Sequence, residues 1–247
     1  MAIEVFNRYE HKYLLTRKQY ERALEYMDEH MELDKYNFDH KPYTIANIYY
    51  DTADDYLIRN SLSKPMYKEK LRLRSYGVPT EGTKVFLEIK KKFDGIVNKR
   101  RTVLGLDEAY GFIATKEKPE HKDYMNDQVI NEISYMMRCY EVFPKVYIAY
   151  DRVAYFEKDN ADLRISFDQN IRSRRYDLAL EMGDYGDPVL DGDYVLMEIK
   201  TSLAKPIWLT HMLAELDLKR SSFSKYGTEF KKYVHANDNA KEIKAAI

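Results

Sequence analysis

The stretch KLRLRSYG, residues 70–77, sets Lys70, Arg72 and Arg74 on one side of a strand and Leu71 and Leu73 on the other, because successive side chains of an extended chain point to opposite faces. The same arrangement recurs. KVFLEIKKK sets Phe86, Glu88 and Lys90 against Val85, Leu87 and Ile89; YVLMEIKT sets Leu196, Glu198 and Lys200 against Val195, Met197 and Ile199; DLRISFDQN sets Arg164, Ser166 and Asp168 against Leu163, Ile165 and Phe167. An ordinary solvent face of a half-buried sheet mixes Ser, Thr, Asn and Gln with charges of both signs. These faces are instead enriched in Arg and Lys, with a few glutamates beside them. Arginine matches phosphate oxygens with two parallel N–H donors, and a concave wall of fixed cations focuses its field on a polyanion. A carboxylate among such cations suits a divalent ion that bridges phosphate oxygens, for which carboxylate and water ligands favour Mg2+ or Mn2+. The chemistry indicated is the binding of a metal-bound phosphate chain or nucleoside triphosphate, with a simple solvated sheet as the alternative reading of the same faces.

The elements that must position these residues can be read from the same periodicities. Strand-like stretches cover 3–14, 44–52, 66–76, 84–92, 96–104, 145–156, 162–170 and 194–201. TRKQYERALEYMDEH, 16–30, predicts a helix with Thr16 as N-cap and Tyr20, Leu24 and Met27 on one face; 126–142 predicts a second with Val129, Ile133, Met136, Met137 and Tyr140 buried; 206–216, opened by a proline, predicts a third. Asp94-Gly95 has the chemistry of a hairpin turn, and Gly183, Gly186, Pro188 and Gly192 mark a long acidic loop. No Pro/Gly/Ser linker divides the chain, so one domain is expected over 1–230, followed by a polar helical tail over 231–247. If the apolar faces pack on helices, the charged faces share an interior. The expected fold is α+β: an eight-stranded antiparallel β-barrel with a polar lumen and flanking helices outside.

Composition narrows the function classes. Lys and Arg number 40 against 41 Asp and Glu in 247 residues, a formal charge of −1, so no global attraction to nucleic acid or anionic lipid exists and a basic site must arise by segregation. The run Lys99-Arg100-Arg101 is too short to indicate nucleic acid. Cys139 is the only cysteine, which excludes an internal disulfide and a thiolate zinc cluster and fits the cytoplasm. The N-terminus MAIEVFNRYE lacks a secretory pattern, and no apolar run reaches the ~20 residues that span a bilayer. The six histidines show no common metal-ligand spacing, and Trp208 reads as core packing.

RYEHKYLL, YYDT, KLRLRSYG, VFLEIKKK, VNKRR, YDRVAYF, LRISFDQNI, LMEIKT and SFSKYG, in this order from about residue 4 to 230, resemble the VTC domain. This is the polyphosphate polymerase branch of the triphosphate tunnel metalloenzymes, a CYTH-like superfamily. The resemblance implies a tunnel that binds a triphosphate or polyphosphate lengthwise and moves the terminal phosphate of ATP onto a growing polyphosphate chain, releasing ADP, with Mn2+ or Mg2+ as cofactor. Position by position it implies catalytic roles for Lys12, Arg72, Arg74, Lys90, Arg152 and Lys225, and phosphate binding by Lys99, Arg101, Tyr150, Arg164, Lys200 and Ser224. Arg100 is the alternative to Arg101. Glu198 matches the metal-binding glutamate, with Glu10 and Glu88 as secondary candidates for a metal or for orienting cations.

Relatives that hydrolyse triphosphates carry Glu-x-Glu-x-Lys on the first strand, where this chain reads Arg8-x-Glu10-x-Lys12. The arginine favours polymerisation, in which a phosphate oxygen, already ionised at neutral pH, is the nucleophile and no protein base is needed. A metal-dependent triphosphate hydrolase and a non-catalytic polyphosphate or nucleotide receptor are the alternatives. The expected partners are ATP and polyphosphate, not nucleic acid. A stand-alone prokaryotic member is expected, with any export of product left to a separate membrane protein.

Overall fold

Alternating apolar and charged residues give strands, and 3.6-periodic stretches give helices, along most of the chain. A computed structural model describes residues 9–245 except 38, 40, 95, 159–161 and 203. Its elements are β1 (Tyr9–Thr16), α1 (Arg17–His30), β2 (Met31–Leu33), β3 (Tyr43–Asp51), α2 (Tyr56–Leu62), β4 (Tyr67–Tyr76), β5 (Lys84–Phe93), β6 (Ile96–Gly105), α3 (Leu106–Thr115), α4 (Asp127–Cys139), β7 (Phe143–Glu157), β8 (Arg164–Arg174), β9 (Asp187–Pro188), β10 (Tyr194–Thr201), α5 (Ile207–Glu215), β11 (Arg220–Ser221) and α6 (Lys225–Ala245). The eight long strands are the eight expected. Residues 3–8 of the first expected strand, including Arg8, and Gly95 of the expected turn lie outside the described residues; Asp94 takes a positive φ of 43°.

Local chemistry sets the helix ends. Thr16 accepts the Gln19 N–H at 3.3 Å while the Gln19 side chain accepts the Thr16 N–H at 2.9 Å, a reciprocal cap that starts α1 directly from β1. Asn126 caps α4 through the Val129 N–H at 3.1 Å. That helix ends at Cys139, short of the expected 142, because Tyr140 is extended and leads into Phe143-Pro144 of β7. The helices α2 and α3 were not expected. Gly186 of the acidic loop is required for close approach: a Cβ there would lie 2.6 Å from the Ser173 carbonyl oxygen.

All strands join one antiparallel sheet in the order β11-β1-β10-β8-β7-β3-β4-β5-β6, with β2 on β7 and β9 on β8. The expected closed barrel is therefore corrected to an open sheet. Closure would need β6 to pair with the β1 side, but the free edge of β1 is taken by β11 at Lys12–Ser221 and Tyr13–Arg220, from where the chain turns into α6. The sheet is nonetheless strongly curled, since Lys90 on β5 reaches Glu10 on β1 at 3.7 Å, bypassing the missing ladder.

Helices cover the convex side. Leu71, Leu73, Leu87 and Ile89 pack with Phe112 of α3 and Ile133, Met136 and Met137 of α4; Tyr13, Phe167, Met197 and Ile199 pack with Tyr20, Ala23 and Met27 of α1 and Leu209 and Met212 of α5. The helix α6 departs from the expected outside position. Its Tyr226 and Phe230 pack with Ile45, Tyr49, Ile148 and Leu196 on the concave side, where Ile58 of α2 joins them. Much of the rest of the concave face carries charge. Among the described residues no helix is long and apolar enough to cross a membrane.

Candidate phosphate-binding site

The register of the sheet converts the alternation into a single lining. Lys12 stands opposite Glu198 and Glu10 opposite Lys200; Lys200 is next to Arg164 and Glu198 next to Ser166; Asp168 faces Arg152. On the other half, Arg72 is paired with Tyr49 on one side and Glu88 on the other, Arg74 with Asn47, and Lys90 with both Lys70 and Lys99. The register also decides between Arg100 and Arg101. Arg101 is opposite Glu88 and lies 4.7 Å over the Phe86 ring, whereas Arg100 is opposite Ile89 and pairs with Glu132 of α4 on the convex side.

Two clusters hold the cations in place. In the first, Glu88 is buried and receives Arg72 Nε at 2.6 Å, Arg74 Nε at 3.7 Å and Lys99 Nζ at 3.0 Å. Arg72 also donates to the Tyr49 hydroxyl at 3.1 Å, and Arg74 donates to Asn47 Oδ1 at 2.9 Å and to the Tyr150 hydroxyl at 3.2 Å. Burial pushes the Glu88 carboxyl up, but the three cations outweigh it and keep it ionised well below the usual range.

In the second, Asp168, with no exposed surface, takes Arg152 in a two-pronged pair at 2.6 and 2.8 Å and a close contact from Lys225. Glu198 is shared by Lys12 at 3.4 Å and by Arg152, Lys200 and Lys225 at 3.5 Å each. Glu10 meets Lys12 at 3.2 Å and Lys90 at 3.7 Å. Burial and Glu198 push the Glu10 carboxyl up, yet Lys90, Lys200 and Lys12 bring it down to about 2. Lys225 enters from the start of α6, where the Ser224 hydroxyl accepts the Gly227 N–H at 3.2 Å, and its ammonium lies 4.2 Å from the Tyr150 ring centroid. Arg164 is tied to Asp34 at 3.1 Å.

The strand residues expected from sequence thus fall on one concave face, which Lys225 reaches from α6, with the three glutamates divided. Glu10 and Glu198 share Lys12, whereas Glu88 sits in the other cluster. Asp168 and Lys70, both on this lining, were absent from the expected set. Asp168 is the buried counter-ion of Arg152 and Lys225, and Lys70 stands among like charges: burial and then Lys90, Lys12, Lys68 and Arg72 push its ammonium down to about 7. Both were visible in the sequence, on the charged faces of DLRISFDQN and KLRLRSYG. His121 pairs with Asp127 on the surface and His30 stacks on Trp208, while His40 lies outside the described residues.

A divalent ion is tested by the donor set. Among the described residues no group of three or more His, Cys, Asp or Glu side chains is arranged to hold a metal ion. Two ionised carboxylates, Glu10 and Glu198, do converge on one position, now bridged by the Lys12 ammonium. That fits a hard ion held by one or two carboxylates and completed by water and phosphate oxygens.

The model of the VTC domain matches residues 7–246. The chain belongs to the VTC domain family. Among solved structures, this VTC domain resembles a candidate adenylate cyclase from Bacillus halodurans, with 11% identity, a TM-score of 0.55, and 90% of this chain and 96% of that one covered. It also resembles a candidate adenylyl cyclase from Hippeastrum with a dominant triphosphatase activity, at 16% identity, a TM-score of 0.50, and 88% and 92% covered. At these identities the likeness is one of fold. No curated protein matches the sequence.

Proposed function

We propose that this VTC domain is an ATP-dependent polyphosphate polymerase using Mn2+ or Mg2+. The observation that carries the reading is the concave face itself. Lys12, Arg72, Arg74, Lys90, Arg152, Arg164, Lys200 and Lys225 converge there from six strands and one helix, and acids beside them, buried except for Glu10, fix their directions. Such a site holds two polyanions in line, and in phosphoryl transfer positioning and fixed charge supply most of the acceleration.

In the transfer, a terminal oxygen of the polyphosphate chain bonds to the γ-phosphorus of ATP as the bond to the β,γ-bridging oxygen breaks, and ADP leaves with that electron pair. The acceptor is ionised at neutral pH, so no side chain has to remove a proton. Arg72 and Arg74 grip one stretch of phosphate, and Lys12, Lys90, Arg152 and Lys225 the reacting end. Lys99, Arg101, Tyr150, Arg164, Lys200 and Ser224 line the path. Glu198, with Glu10, would hold the metal, which supplies charge neutralisation on the transferring phosphoryl group. Glu88 orients Arg72 and Arg74.

Purified protein with ATP and Mn2+, run beside Lys90→Ala and Glu198→Gln, tests the reading. A phosphate ladder with stoichiometric ADP, lost in both variants, is expected. Free phosphate without a ladder would replace it with hydrolysis, and tight triphosphate binding without turnover would leave a receptor.

A further inference from the structure

Next to the phosphate-gripping cations the concave face carries a run of rings. Tyr43 of β3 and Tyr76 of β4 have centroids 6.0 Å apart, and Tyr76 meets Phe86 of β5 edge-on at 5.5 Å and 86°. The Arg101 guanidinium lies 4.7 Å from the Phe86 centroid. Alternation places this ledge: Tyr76 is two residues beyond Arg74, Phe86 two residues before Glu88, and Tyr43 pairs with Arg152. Two residues of strand advance about 7 Å. A ligand whose phosphates lie on Arg74 and Arg152 therefore carries its next group onto the rings.

Core packing accounts for only one ring of the ledge, Tyr43, which lies against the cluster of Ile45, Tyr150 and Tyr226. Tyr76 is 47% exposed, and Tyr43 and Phe86 are half-buried. The far end of the same face has a different character, because Lys68 and Lys92 are paired across β4 and β5 beside the Lys70–Lys90 pair. Ammonium groups suit a phosphate chain. Rings with a guanidinium suit a flat heteroaromatic, which stacks on aromatic faces and on Arg alike.

We propose that Tyr43, Tyr76 and Phe86, with Arg101, form the base subsite of the nucleotide, on which the purine of the nucleoside triphosphate stacks while its phosphates run inward over Arg74 and Arg152. The inference rests on the reading that a nucleoside triphosphate is the phosphate donor. Stacking is tolerant of base identity, since every base has a π face. The subsite thus distinguishes a nucleotide from a bare phosphate chain more than adenine from guanine.

Calorimetric titration with the non-transferable β,γ-imido analogue of ATP and, separately, with tripolyphosphate tests this. Tyr76→Ala should weaken the nucleotide analogue about tenfold, the order expected for one lost base stack, and leave tripolyphosphate within about twofold. Tyr76→Phe should restore the nucleotide, and Phe86→Ala should repeat the selective loss. Retained tripolyphosphate binding shows that each variant is folded. Equal losses for both ligands, or unchanged nucleotide binding in both alanine variants, would overturn the subsite. If the polymerase reading fails instead, the ladder is missing while the selective loss persists.

Discussion

Lys70 gives the sharpest electrostatic prediction. It is pushed down to about 7 by burial and by Lys90, Lys12, Lys68 and Arg72, so at pH 8 only ~10% of the empty sites carry the proton. Phosphate oxygens laid along this face supply the missing counter-charge and return the ammonium to its ordinary range near 10.4, or above it. Binding at pH 8 should therefore take up ~0.9 proton per site at Lys70, against ~0.1 at pH 6, and each pH unit above 7 should weaken polyphosphate binding by about tenfold, or ~1.4 kcal/mol, through this one group. The sign for stability is the opposite. The folded, empty protein binds fewer protons than the unfolded chain between pH 7 and about 10, so the empty protein gains stability as pH rises through that window. Calorimetry with tripolyphosphate in two buffers of different ionisation enthalpy reads the proton count, and Lys70→Met removes the contribution of this residue from those of the ligand and the other lysines. Equal uptake by wild type and Lys70→Met at pH 8 would refute the reasoning.

Three further outcomes follow from the geometry. Asp168→Asn removes the nearer of two counter-charges from buried Arg152 and Lys225, leaving Glu198 at 3.5 Å from each, and should lower the unfolding free energy by about 1.5–3 kcal/mol in urea titrations; unchanged stability would mean that water reaches the cluster. Glu198→Gln should raise the Mn2+ concentration needed for half-maximal turnover by at least about tenfold, since losing an outer partner of a metal ligand already costs about 10–100-fold, and an unchanged metal titration would place the ion elsewhere. Ile133→Ala removes a fully buried side chain of α4 and should cost about 2–5 kcal/mol with tripolyphosphate affinity retained, which separates the convex core from the site.

How far the sequence shows this architecture depends on which interactions are local. Period-2 alternation is a property of one strand, and it located all eight long strands; the Thr16 cap and the apolar face of α4 are likewise local. The short α2 has too few turns to show a period. In α3, Leu106, Ala109, Phe112 and Ile113 do have helical spacing, but the helix starts at once from Gly105 of β6 and contains Gly111. Closure of the sheet is not local. It depends on what pairs with the edge of β1, and there two residues of β11 and the turn into α6 intervene. The site divides the same way. Arg72 and Arg74 were legible from their own strand, whereas Arg100 and Arg101 needed the register against β5, and the importance of Asp168 needed two cations brought from β7 and α6.

The acids of the concave face raise a final question, because a site selected only for affinity would omit them. Glu88, Asp168 and Glu198 each hold several cations at fixed positions, and the cations still outnumber the acids around them. The surplus attracts a polyanion, while the acids orient the guanidinium and ammonium groups before it arrives. Preorganised charge is what stabilises a transition state, since the donors need no reorganisation as the charge moves. Affinity and turnover should therefore respond oppositely to loss of one acid. Glu88→Gln frees Arg72, Arg74 and Lys99 from an ionised partner held well below the usual carboxylate range, so tripolyphosphate should bind more tightly at low ionic strength, where the unscreened surplus is largest. The released arginines also lose their fixed direction, so chain synthesis at saturating ATP should fall. A variant that binds more tightly and transfers as fast as wild type would show that Glu88 only restrains the cations and does not position them.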